Sequence, residues 1–249
     1  MRQENINLAV LRFVAVFFSG VVLIPHLACA AADDMKGAAD TIATHNEYWD
    51  QLRRLCTEVI PDEKRGLAAV YFHWVDQNRA EILGMRAWRL TQANPSNLDD
   101  AARAKAAAQL LPIQQFNADQ RRSVCLGAFR KLGEGSKDFI RISPAQSALL
   151  TDFLKQHPLT EQQAREYDNP LGCAKRVVKI GGDLDRARPL CQCNWQVANE
   201  SWSSSEWHEF EAGSTGGRSA QELAQLPQVR RVASKISACT TKYPVAARP

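Results

Sequence analysis

Six cysteines lie beyond the first thirty residues: Cys56, Cys125, Cys173, Cys191, Cys193 and Cys239. Two of them stand one residue apart in LCQCNW, residues 190–195. Thiols so spaced can form a redox centre, half a metal site, or the ends of two separate disulfides. A structural zinc site built from Cys173, Cys191, Cys193 and Cys239 is disfavoured because paired zinc ligands usually have two intervening residues. A redox centre needs an exposed thiolate of low pKa, and no thioredoxin-like strand pattern surrounds these residues. On a helix, residues two apart point roughly 200° away from each other. Cys191 and Cys193 therefore reach different neighbours, and the expected pairs are Cys173 with Cys193, Cys191 with Cys239, and Cys56 with Cys125.

Two other groups of residues could do chemistry. His45, Glu47 and His73 would form a metal or acid/base site if the first two helices brought them together. His45 also falls on an apolar stripe, where a hydrogen-bonded core histidine is the simpler expectation. Trp195, Trp202 and Trp207 could make a binding surface, since clustered tryptophans serve as interaction hot spots, or could pack short helices together. Trp202, at a turn, is the one expected to be partly exposed. The chain has no His-Glu-X-X-His, haem-attachment Cys-X-X-Cys-His, Gly-X-Ser-X-Gly or phosphate-binding glycine loop. No cofactor and no metal are therefore expected.

The start of the chain sets the compartment. Arg2 and Arg12 precede and flank an apolar run from Phe13 to Ile24, followed by Pro25 and Ala28-Cys29-Ala30. This pattern predicts a signal peptide over residues 1–30. A lipid anchor at Cys29 is the alternative, although His26 stands where the lipoprotein motif has a branched apolar residue. Export to the periplasm or the secreted space suits an even number of cysteines paired as disulfides. Loss of Arg2, Arg12 and Glu4 with the leader takes 31 basic and 27 acidic residues to 29 and 26, a net charge of +3. So even a balance gives no reason to expect nucleic acid, and no later segment is apolar enough to cross a membrane.

The elements that must position these residues read as helices throughout. Ile42, His45, Trp49, Leu52, Cys56 and Val59 step by three and four residues on one face. Pro61 ends that helix, and the next run turns Leu67, Val70, Trp74, Ile82 and Met85 inward. LDDAARAKAAAQLL is a high-propensity, mostly solvated helix reaching Pro112. A further helix starts at Asn117 and carries Cys125. GEGSK, residues 133–137, then interrupts the pattern. Ser143, Thr160, Ser203 and Ser219 each open a helix with Gln or Glu three residues on, the capping-box pattern, and Gly181-Gly182 ends one.

The expected fold is all-α: a signal peptide over 1–30, an antiparallel helical bundle over 31–135, and a disulfide-cross-linked set of short helices over 136–249. The expected role is non-catalytic binding in the envelope, as an inhibitor, an immunity-type protein or an envelope accessory. Its partner would be another envelope or secreted protein. The alternative is an envelope hydrolase or metal-dependent enzyme using His45, Glu47 and His73.

Overall fold

The computed structural model describes residues 35–92 and 96–245. The leader predicted over residues 1–30, with Cys29, lies outside the described residues. Within them the chain forms twelve α-helices and one 3-10 turn, with no strand.

Helix α1 (Met35–Val59) is the centre of the molecule, and it contacts α2, α3, α4, α5 and α7. Its predicted stripe is the inward face: Ile42, Trp49, Leu52 and Cys56 are buried, and His45 and Val59 are half-buried. Helices α2 (Lys64–Gln77) and α3 (Arg79–Arg89) read as one run in the sequence but break at Asn78. The Asn78 side chain is fully buried. Its amide donates to the Trp74 carbonyl at 2.7 Å, and its carbonyl accepts from the Phe139 amide. One polar side chain thus interrupts the helix and fixes the turn after α5.

Helix α4 (Ser96–Gln114) packs on α1 through Ala102, Ala106 and Leu110, a single row of side chains. Pro112 sits near its C-terminal end, with the helix continuing to Gln114. A complete capping box at Asn117 and Gln120 opens α5 (Ala118–Gly133). Two shorter helices follow, α6 (Phe139–Ile142) and α7 (Pro144–Gln156). Helix α7 lies so close to α3 that a Cβ on Gly84 would meet the Leu150 carbonyl oxygen at 2.1 Å, which leaves room for glycine alone.

The remaining helices are α8 (Glu161–Lys179), α9 (Leu184–Ser201), α10 (Ser204–Thr215), α11 (Ala220–Ala224) and α12 (Pro227–Lys242). Thr160, Ser203 and Ser219 close the capping boxes their sequences predict. Ser143 precedes Pro144 as predicted but makes no side-chain cap hydrogen bond. Helix α8 ends where Gly181 takes a φ of +98°. There the Gly181 and Gly182 amides return to the Val178 and Val177 carbonyls, a Schellman closure that favours glycine.

One apolar cluster runs from Ala38 through Trp74 and Leu150 to Cys191, so the core is continuous across residue 135. Cys56–Cys125 ties α1 to α5. The other two bonds reverse the expected pairing: Cys173 bonds Cys191, joining α8 to α9, and Cys193 bonds Cys239, joining α9 to α12. The reason is the register of α9. Leu184, Ala187 and Cys191 step by three and four residues and are all buried, so Cys191 belongs to the inward face that meets α8. Cys193, on the other side, is left for α12. Three disulfides fit an oxidising compartment outside the cytoplasm, and no described helix is long and apolar enough to cross a membrane.

Candidate functional site

A cleft of about 380 Å³ opens where α1, α2 and α3 face α8 and α9. Its floor begins with Asp50, whose side chain is 7% exposed. A carboxylate so enclosed must be paired, because desolvating an isolated charge is prohibitive. Asp50 accepts from Arg188 at 2.6 Å, from Arg54 at 3.0 Å, and from Arg53 through both Nη2 at 3.1 Å and Nε at 3.2 Å. Arg53, also buried, donates to Asp185 at 2.6 Å. The network locks α1 to α9 through Arg188 and Asp185.

Burial by itself would raise the Asp50 pKa. The guanidiniums of Arg188, Arg53 and Arg54 outweigh it and hold the carboxyl below its ordinary value. Arg188 also lies over the Tyr71 ring, 5.4 Å from its centroid. The Tyr71 hydroxyl donates to Asn46 Oδ1 at 3.1 Å, and burial pushes its pKa up to about 12. Burial raises Tyr167 on the facing helix as well. Both phenols are therefore neutral hydrogen-bonding groups at physiological pH.

The walls differ from the floor in being uncommitted. Arg86 of α3 stacks on Tyr167, its guanidinium carbon 5.1 Å from the ring centroid, and forms no ion pair among the described residues. Glu47 of α1 has, among the described residues, only Arg103 at 4.0 Å. Glu166 of α8 is exposed and unpaired among the described residues. Arg86 and Glu166 also line an adjoining hollow of about 160 Å³ beside Leu90 and Leu159.

Of the residues singled out in the sequence, Glu47 alone lines this cleft. His45 faces Phe139, with ring centroids 5.9 Å apart and its Nδ1 3.1 Å from the Thr41 carbonyl. Burial, the largest influence, lowers its pKa. His73 lies on the exposed side of α2. His45, Glu47 and His73 do not converge, and no group of three His, Cys, Asp or Glu side chains among the described residues could hold a metal ion.

The tryptophans are structural in their packing. Trp207 is buried, and Trp202 is half-buried with its ring centroid 4.7 Å from that of Trp207 and 5.1 Å from that of Phe210. Trp202 Nε1 donates to the Gln228 carbonyl at 3.0 Å, which binds α12 to the α9–α10 turn. Trp195 is half-buried with its Nε1 enclosed.

The cleft residues missed in the sequence include Asp50, Tyr71, Arg86, Glu166, Tyr167 and Arg188. One signal was present: Asp50 and Arg53 sit three residues apart on α1 between Trp49, Leu52 and Cys56, where a charged residue must be paired or exposed. No protein-family model, no curated protein and no solved structure matches the chain.

Proposed function

We propose that the protein is an exported, non-catalytic binding protein of the periplasm or secreted space, with the cleft between α1–α3 and α8–α9 as its ligand site. The observation that carries this reading is the contrast inside the cleft. The floor, at Asp50, Arg53 and Arg188, is satisfied and fixed, while Arg86, Glu47 and Glu166 on the walls keep free hydrogen-bonding capacity. A concave site of this volume, with a few convergent polar groups, is what small-ligand binding needs. The disulfide between α8 and α9 and the charge network keep the walls in place, so little ordering is left for binding to oppose.

The two histidines of the hydrolase alternative stand away from this cleft, leaving that reading only Glu47. An envelope protein partner seated on the tryptophans gains little, because the Trp202 and Trp207 rings are turned against each other and Phe210. Native mass spectrometry of the protein purified from the envelope fraction tests the proposal. The wild type should carry a small-molecule adduct that Gln192→Trp, which fills the cleft with an indole, does not. A wild type with no adduct, and with no gain in Tm from a metabolite extract, would overturn it.

A further inference from the structure

We infer that the ligand of this cleft is a small zwitterion with an additional positive charge, of the size and kind of a basic amino acid or a dipeptide containing one. The inference rests on the cleft being the binding site and goes on to its chemistry. Two guanidiniums line the cleft, and only one is available. Arg188 is tied to Asp50 at 2.6 Å. Arg86 lies against the Tyr167 ring and has no carboxylate partner among the described residues, so its planar fork is free to take a carboxylate through two parallel hydrogen bonds. Contact with the ring helps position that fork before a ligand arrives.

On the walls, α1 contributes Glu47 and α8 contributes Glu166. Among the described residues the one cation paired with either is Arg103, 4.0 Å from Glu47 and itself largely exposed. The uncommitted charge of the cleft is therefore one positive and two negative. A neutral sugar would leave Arg86 and Glu166 without counter-charges and Glu47 with only its 4.0 Å contact to Arg103, and a simple anion would meet the two carboxylates unfavourably. A ligand with one carboxylate and two cationic groups meets each of them. The Tyr71 and Tyr167 phenols stay protonated throughout the physiological range and add no further charge.

Isothermal titration of the purified protein with three probes tests this assignment: lysyl-alanine, its C-terminal amide, and norleucyl-alanine. Lysyl-alanine should bind one to one. The amide, lacking the carboxylate, should bind about tenfold more weakly, the order expected for one charge-assisted pair. Norleucyl-alanine, lacking the side-chain ammonium, should also bind more weakly. Arg86→Gln should reduce lysyl-alanine to the level of its amide while leaving the amide unchanged. Glu166→Gln, at an exposed position that folding does not need, should narrow the gap between lysyl-alanine and norleucyl-alanine. No binding of any probe, equal binding of acid and amide by the wild type, or an acid preference that survives Arg86→Gln would each overturn the inference. A cleft-dependent adduct of some other charge type would sink this ligand class and leave the binding function standing. Absence of any adduct would remove both.

Discussion

Between Met35 and Gln156 the buried side chains are large and apolar, with Trp74, Phe139, Ile82, Leu132 and Leu150 almost wholly enclosed. From Glu161 onward they are fewer and smaller. Trp207, Leu226, Val232 and Cys239 are buried but stand outside the main cluster. Two of the three disulfides lie wholly in this second region, together with three complete capping boxes and ion pairs such as Arg231–Glu206 and Arg165–Glu211. Shape in the first region follows from burial. In the second, covalent links and local hydrogen bonds supply what a thin core does not. The cleft lies on the seam, so its Arg86 wall is held by packing and its α8 wall by the Cys173–Cys191 cross-link to α9.

The seam itself is where the largest effect is expected. Asp50→Ala leaves Arg188 without its carboxylate and removes one of the two from Arg53. Breaking a buried pair by deleting one partner costs about 3–5 kcal/mol, measurable as a shift in the denaturation midpoint. The pH dependence has a definite sign. Because the folded Asp50 pKa lies below its ordinary 3.8, the network's contribution is fully present above that value and is lost as pH falls through the folded pKa. Wild-type stability should therefore drop steeply below about pH 4, and the drop should be shallower in Asp50→Asn. Equal acid slopes in the two proteins would mean that the carboxylate does not bind the halves together.

Cys56→Ser/Cys125→Ser and Cys193→Ser/Cys239→Ser compare the regions more directly. The bridged residues are 69 and 46 positions apart, and chain entropy assigns either bond about 4 kcal/mol. Their consequences should differ in extent. Loss of Cys56–Cys125 should lower the global midpoint. Loss of Cys193–Cys239 should raise hydrogen exchange in α12 and around Trp202, with exchange in α1 and α2 nearly unchanged, as expected for a locally unfolding unit. Matching exchange profiles in the two variants would show that one core governs the whole chain.

The two regions were also unequally legible in the sequence. Helical periodicity located α1 because burial dominates there, and the apolar stripe is itself the packing face. It passed over the break at Asn78, since the cause is a hydrogen bond to Phe139, 61 residues away. In the second region the caps at Thr160, Ser203 and Ser219 could be read because capping is local chemistry. The pairing of Cys191 and Cys193 turned on which face of α9 meets α8, and the row Leu184, Ala187, Cys191 held that information. The cleft was the least legible part: five helices converge on it, and residues such as Tyr71 and Arg188 gain their roles only from partners far along the chain.

The smallest expected effect separates the regions with one kind of hydrogen bond. Asn117 opens α5 and Ser203 opens α10, each through a complete capping box, with Gln120 and Glu206 closing them. Replacing either cap by alanine costs about 1 kcal/mol. Helix α5 is fastened to the main core by Cys125, Phe129 and Leu132, so it cannot fray without disturbing α1 and α2, and Asn117→Ala should lower the global midpoint. Helix α10 is held mainly by Trp207, the Gln228 contacts and surface ion pairs. Ser203→Ala should therefore leave that midpoint nearly unchanged, while accelerating amide exchange over residues 204–215 and reducing the near-ultraviolet signal of the Trp202–Trp207 pair. If both variants shift the midpoint equally, α10 unfolds with the core, and the division between a packed region and a stapled one does not extend to cooperativity.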